Sequence, residues 1–195
     1  ATLLHDDVVD HSDMRRGRET ANELWGNEAA VLVGDFIYTR SFQMMVSLNS
    51  MDIMNIRSDA TNIIAEGEVM QLMNIGDPDT TEENYMNVIY SKTAKLFEAS
   101  GATAGILTRE AGGEDFAEAL ATYGMYLGTA FQLVDDILDY SASSEEMGKN
   151  TGDDLAEGKP TLPLIYAMRA GTAEEAELIK DALVNADLSK LASIL

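Results

Sequence analysis

The sequence has no cysteine, three prolines and one tryptophan. Without Cys there can be no disulfide, no thiolate metal site and no cysteine nucleophile. The lack also fits a reducing compartment. Basic residues are scarce: 13 Lys plus Arg stand against 34 Asp plus Glu, a formal charge of −21. A nucleic-acid binder needs a basic surface to displace counterions, and a protein docked on anionic lipid needs one too. The charge balance argues against both. There is no run of 18 apolar residues, hence no transmembrane helix, and no signal peptide with a basic start. A cytoplasmic location is expected.

What remains is an ordinary globular composition, with 46% hydrophobic residues in 195. That is enough for one substantial core. Apolar residues recur at three- and four-residue steps in roughly 2–12, 28–49, 52–74, 81–110, 114–142, 161–170 and 173–186, and this predicts helices. Capping boxes are predicted at Thr80-x-x-Glu83 and Thr172-x-x-Glu175. Breaks fall at Arg15-Arg16-Gly17, Gly76-Asp77-Pro78, Gly112-Gly113, Gly148 to Pro160 and Gly171. Long helices joined by short links predict an all-α antiparallel bundle. No composition shift divides the chain, so a single helical domain over 1–195 is expected. Both ends lie inside apolar patterns, Ala1-Thr2-Leu3-Leu4 and Ile194-Leu195. They suggest truncation at both ends.

Two segments carry the same acidic pattern. His5-Asp6-Asp7-Val8-Val9-Asp10 and Gln132-Leu133-Val134-Asp135-Asp136-Ile137-Leu138-Asp139 both read D-D-x-x-D. On a helix, residues four apart lie about 40° apart, and neighbours about 100°. Each triplet therefore makes one carboxylate face in an apolar helix. Asp is a poor residue inside a helix, and like charges four apart repel. At 4 Å the repulsion is about 4 kcal/mol at an effective dielectric near 20. A compensating cation resolves the conflict, and oxygen-only ligands suit Mg²⁺ completed by water and phosphate. The alternative is a solvated acidic face, which fits one such motif better than two.

Five of the 13 basic residues lie in or beside loops and motif segments. Arg15 and Arg16 follow the first, Lys92 lies in Tyr90-Ser91-Lys92-Thr93, and Lys149 and Lys159 flank the loop after the second. Cations placed near metal-binding carboxylates make sense if an anion such as diphosphate binds with them. The eleven methionines read as adaptable core filler or as the lining for a long apolar ligand.

These residues, with Met14-Arg15-Arg16-Gly17, Gly34-Asp35, Glu66-Gly67-Glu68, Lys92-Thr93, Phe131-Gln132 and Gly148-Lys149-Asn150, resemble the trans-isoprenyl diphosphate synthases. The likeness runs in order from residue 1 to about 170. It is greatest to the long-chain members, the octaprenyl diphosphate synthases of bacterial quinone biosynthesis. The resemblance implies an all-α isoprenoid synthase fold, with two Asp-rich helices facing each other across a cavity. It implies three Mg²⁺ ions on an allylic diphosphate, isopentenyl diphosphate as second substrate, and a homodimer. Asp6, Asp10 and Asp135 would be direct metal ligands. Asp139 joins the metal-binding set, supporting it with Asp7 and Asp136, partly through water. Arg15, Lys92 and Lys149 would hold the allylic diphosphate, Lys159 the closing loop, and Arg16 the isopentenyl diphosphate. Thr93 and Gln132 would line the cavity. His5 reads as a hydrogen-bonded neighbour of Asp6, not a base.

In short-chain members a bulky aromatic just before the first motif stops chain growth. Here Ala1 and Thr2 are small, so a long product is expected, with the tunnel floor at Phe42, Met44 or Met45. The family's early Gly-Gly-Lys-x-x-Arg segment would lie upstream of residue 1. Rival readings are a shorter-chain synthase, a class I terpene cyclase, and a non-catalytic subunit of a heteromeric synthase. A Ca²⁺ module is disfavoured by the lack of an EF-hand loop. Cyclases carry a different second motif, and non-catalytic subunits usually lose one cluster.

Overall fold

A computed structural model describes residues 1–141 and 151–194, and these are helical nearly throughout. They form two compact units. Among the described residues the first holds Ala1–Met54 with Thr151, and the second holds Asn55–Ser141 with 152–194; one division along the chain falls in the first turn of a long helix.

In the first unit, α1 (Thr2–Val9) ends where Asp10 caps it and His11 turns left-handed. A two-stranded hairpin follows, β1 (Met14–Arg15) against β2 (Arg18–Glu19). It turns through Arg16 and Gly17, both at positive φ, which is the backbone of a tight type I′ turn. The helical pattern expected over 2–12 thus stops early, because the Arg15-Arg16-Gly17 break makes a hairpin. After α2 (Ala21–Trp25), α3 (Asn27–Val46) packs on α1. Within α3 only Ala30 and Gly34 are buried, and Leu32, Val33, Phe36 and Met44 are exposed.

The long helix α4 (Met51–Asn74) leads into the second unit. There α5 (Glu82–Ile89) passes through a π-helical turn, Tyr90–Ala94, into α6 (Lys95–Glu110). α5 is capped by Thr81, whose side chain accepts from the Asn84 amide. The capping box expected from Thr80 and Glu83 is not formed: the single cap comes from Thr81, one residue later, and Thr80 itself is buried. α7 (Ala117–Ser141) runs antiparallel to α6. Four-residue steps along α7 mark the contact line. A side chain at Gly124 would meet the Phe97 carbonyl at 2.3 Å, and one at Gly128 would meet Ala94 Cα at 2.7 Å. Gly101 and Gly105 return the same closeness from α6 towards Leu120 and Ala117. The line then continues through Gln132 and Asp136 towards α5.

The chain closes with α8 (Asp153–Ala156), α9 (Leu162–Ala170), α10 (Ala173–Val184), a 3₁₀ turn Leu188–Lys190 and α11 (Leu191–Ile194). Leu155, Leu164, Ile179, Ala182 and Leu183 form the core beneath them. α10 carries the capping box read from Thr172 and Glu175. A second apolar cluster joins Tyr85 and Ile89 of α5 to Ile165 of α9, with Leu133 of α7 against it. No helix among the described residues is long and apolar enough to cross a membrane.

Candidate functional site

The first acidic motif lies on α1. Asp7 is buried, whereas Asp6 and Asp10 are half-buried. This follows from helix geometry: Asp7 is turned about 100° from Asp6, and Asp10 returns to the face of Asp6. Asp7 is met by Arg15 from the hairpin, through Nε at 2.8 Å and Nη2 at 2.6 Å on the same carboxylate oxygen. The hydrogen bond to Asp7 and the charges of Asp7, Asp6 and Asp10 raise the Arg15 pKa further, against the cost of burial. The segment after α1 is fixed through its backbone. The Ser12 amide donates to the Asp7 carbonyl at 3.0 Å. Asn22 donates to the carbonyls of Asp7 and Ser12, at 3.3 and 3.1 Å. His5 bonds the Val31 carbonyl at 3.1 Å and lies 3.4 Å from Asp35. Its ring fills the space above Gly34, where a Cβ would come within 2.2 Å. His5 therefore ties α1 to α3. Arg16 is exposed at the hairpin tip, and Ala1 and Thr2 open α1.

The second motif lies near the C-terminal end of α7. Asp135 is half-buried, and Asp136 and Asp139 are buried. Tyr85 of α5 donates its hydroxyl to Asp136 Oδ2 at 2.6 Å. Gln132 donates Nε2 to Asp136 Oδ1 at 2.7 Å, while its Oε1 accepts from the Thr93 hydroxyl at 2.8 Å. Burial, then the charge and hydrogen bond of Asp136, hold the Tyr85 hydroxyl well above the usual tyrosine range. Asp139 accepts the Asp154 amide at 3.2 Å, and its own carbonyl accepts the Gly152 amide at 2.9 Å. That ties α7 to the start of α8.

Lys92 and Thr93 sit in the π turn. A π-helical turn inserts an extra residue into the helix and is common at functional sites. Lys92 Nζ donates to Gln71 Oε1 at 2.8 Å and pairs with Glu68 at 3.2 Å, both on α4. Gly67 permits this approach, since a Cβ there would lie 2.8 Å from the Lys92 amide nitrogen. Lys159 is buried and ion-paired with Glu157. Lys149, with Gly148 and Asn150, lies outside the described residues.

Among the described residues no three carboxylate or imidazole groups converge into a closed metal site. The donor set nonetheless fits Mg²⁺. That ion takes hard oxygens, binds through one or two carboxylates, and keeps water and phosphate in its remaining positions. Asp6 with Asp10, and Asp135, supply such oxygens from partly exposed positions.

The polyprenyl synthetase family model matches residues 1–194. The chain belongs to the polyprenyl synthetase family. It is 65% identical over 184 residues to the octaprenyl diphosphate synthase of Haemophilus influenzae, covering 94% of this chain and 55% of that protein. The Escherichia coli octaprenyl diphosphate synthase is 64% identical over 183 residues, covering 94% of this chain and 56% of that protein. The chain thus spans little more than half the length of these curated relatives. A crystal structure of polyprenyl synthase from Caulobacter crescentus, complexed with calcium and isoprenyl diphosphate, superposes with a TM-score of 0.92. It is 44% identical and is matched over 99% of this chain and 59% of that one. The all-helical fold class read from the sequence is shown by this likeness.

Within each unit, the residues singled out by sequence come together in part. Asp7 meets Arg15, and Thr93 meets Gln132 and through it Asp136. Two contributors had not been singled out. Tyr85 lies eight residues before Thr93, and with the extra residue of the π turn counted both side chains reach α7; a buried tyrosine hydroxyl needs a partner. Gln71, three residues after Glu68, shares its face on α4.

Proposed function

We propose that the protein elongates prenyl diphosphates head to tail. It condenses an allylic diphosphate with isopentenyl diphosphate to a long-chain, octaprenyl product for quinone side chains. The observation that carries this reading is a repeated acidic helix in a polyprenyl synthetase family member. In each copy the central Asp is buried and bonded while an outer Asp is left half-buried. Such helices hold carboxylates ready for a cation and a diphosphate rather than for bulk water. The calcium and isoprenyl diphosphate of the Caulobacter crescentus complex support a divalent ion and this substrate class.

Asp6, Asp10 and Asp135 would hold the ions, three Mg²⁺ with diphosphate bound, and Asp7, Asp136 and Asp139 would support them. Bound Mg²⁺ supplies neutralisation of the charge that develops on the departing diphosphate. Lys92, steadied by Gln71 and Glu68, places a fixed positive charge beside the same group. Arg15 serves the allylic diphosphate and braces Asp7. Arg16 serves the isopentenyl diphosphate, while Lys149 and Lys159 belong to the closing loop. As the allylic C–O bond breaks, the isopentenyl double bond forms the new C–C bond, and a proton leaves to the released diphosphate. Thr93 and Gln132 line the region where the allylic cation forms. Small Ala1 and Thr2 leave the growing chain room. The protein is proposed to act as a single catalytic domain, as a cytoplasmic homodimer, with the exposed apolar side chains of α3 available for burial.

The test is incubation of the full-length protein with farnesyl diphosphate, isopentenyl diphosphate and Mg²⁺, with products resolved by chromatography. An octaprenyl product lost on chelation is expected. A cyclic hydrocarbon, or no elongation, would overturn the reading. Ala1→Phe is expected to shorten the product, and an unchanged length would refute the tunnel assignment.

A further inference from the structure

The contact line along α7 ends in a feature the acidic motif does not contain. From Gly124 it steps four residues at a time through Gly128 and Gln132 to Asp136. The facing residues descend from Phe97 and Ala94 to Thr93 and Tyr85. The first two steps are close glycine contacts, and the last two are hydrogen bonds. Thr93 donates to Gln132, and Gln132 donates to Asp136. Tyr85, 4% exposed, donates to the other oxygen of Asp136. A carboxylate accepts and cannot donate, so the direction of every bond in this chain is fixed. The Gln132 amide orientation is fixed with it.

We propose that Tyr85 is a positioning residue for the second acidic cluster, acting through Asp136. The proposal rests on the reading of α7 as a metal-binding helix. Tyr85 reaches α7 from α5, a different element from the one that carries Thr93. Together the two anchors hold Asp136 from both oxygens and set the rotation of the last turns of α7. With Asp136 pinned inward, Asp135 is carried about 100° round the helix to its half-buried place. Without the Tyr85 hydroxyl, one buried oxygen of Asp136 loses this donor. The end of α7 remains tied to α8 through Asp139, but the turn that carries Asp136 loses one restraint, and Asp135 shifts with it. Hydrogen-bond partners of this outer kind commonly change metal affinity or activity 10- to 100-fold.

The test uses the full-length protein with Mn²⁺ as a spectroscopic probe in the presence of inorganic diphosphate. Mn²⁺ affinity is read by electron paramagnetic resonance and elongation by product assay. Tyr85→Phe keeps the ring and removes the hydroxyl. It is expected to weaken Mn²⁺ binding about 10-fold and to raise the Mg²⁺ concentration needed for half-maximal rate by a similar factor. The KM for isopentenyl diphosphate is expected to stay unchanged. Ile89→Ala is the control. It opens the same apolar cluster without touching the carboxylate, and is expected to lower the melting temperature while leaving Mn²⁺ affinity unchanged. Wild-type affinity in Tyr85→Phe, or an equal loss in Ile89→Ala, would overturn the proposal while elongation by the wild type still stood. If the wild type neither binds Mn²⁺ nor elongates, the underlying functional reading falls and this proposal falls with it.

Discussion

α1 and α7 carry the same five-residue pattern but hold it by different means. In α1 the central carboxylate, Asp7, is answered by a cation from the chain immediately following, Arg15. In α7, Asp136 accepts hydrogen bonds from two neutral groups, Tyr85 and Gln132, the first of them 51 residues away in sequence. The third carboxylate differs as well. Asp10 caps an eight-residue helix and is half-buried, whereas Asp139 lies inside and accepts a backbone amide of the returning chain. A charge pair can be built locally because a hairpin brings Arg15 back over α1. A neutral clasp needs a packed neighbour, and α5 supplies it. The difference teaches that a shared motif fixes which oxygens are offered, while the surrounding fold decides how firmly each is held.

The largest effects should be common to both helices. Asp6→Asn and Asp135→Asn each remove a half-buried carboxylate proposed to meet the metal. Each is expected to lower kcat by about 10²–10³-fold, the usual result of removing one preorganised electrostatic contact. Steady-state kinetics at saturating Mg²⁺ check this. If only one variant lost activity, the two helices would not be functional equivalents.

Their central residues should separate them. Arg15→Leu leaves Asp7 buried beside no guanidinium. The expected loss is about 2 kcal/mol, within the range for hydrogen bonds to charged groups and moderated because Arg15 is itself partly exposed. Arg15→Lys is expected to restore little, since an ammonium cannot reproduce the planar donor array. Urea unfolding of each variant measures both. A full rescue by Lys would show that charge alone, and not geometry, holds Asp7.

Close packing offers a third contrast. In Gly124→Ala the new methyl meets the Phe97 carbonyl at 2.3 Å, and backbone cannot step aside. Overpacking costs about 1–3 kcal/mol, partly offset by the better helix propensity of Ala. In Gly34→Ala the obstacle is the His5 ring at 2.2 Å. A ring can rotate away, at the expense of its bond to Val31. Gly124→Ala is therefore expected to lower the melting temperature more. The reverse order would mean that His5 matters more to α1 than the α6–α7 contact matters to α7.

Much of this was legible in the residues themselves. Helical periodicity located the long helices, because each buries one face and repeats at 3.6 residues. The cap at Thr172 was readable from its own four residues. The cap on α5 was misplaced by one, since Thr80 and Thr81 are both competent and only tertiary packing buries the first. The hairpin after α1 was visible as a break but not as a strand pair, because two-residue strands leave no periodic trace. At the site, the spacing located two acidic motifs, and both lie on helices. It did not distinguish Asp7, Asp136 and Asp139 as the buried members, nor find Tyr85, because those facts depend on what packs against the helix. Lys92 could be singled out as a cation near a motif. Its tether to Gln71 and Glu68 requires the approach of α4 over Gly67, which no local pattern states.

A carboxylate outside both clusters gives the smallest effect and a baseline for the others. Glu175 lies at the start of α10, where its side chain accepts the Thr172 amide at 2.7 Å and the Thr172 hydroxyl at 3.0 Å. The backbone hydrogen bond from Thr172 lowers its pKa below the ordinary 4.5, with the hydroxyl adding to it. A depressed folded-state pKa means that ionised Glu175 favours the folded chain. The contribution is fully present above the unfolded value and fades as pH falls through the folded one. Glu175→Gln is therefore expected to melt slightly below wild type at pH 7, with the gap closing as pH drops below 4.5. Thermal melts at several pH values read this directly, on a solvent-exposed group hydrogen-bonded to its own cap. A gap that persisted at the lowest pH would show that shape rather than charge sets the cap. The acidic helices would then lose the simplest reference for how strongly a hydrogen-bonded carboxylate holds a helix end in this protein.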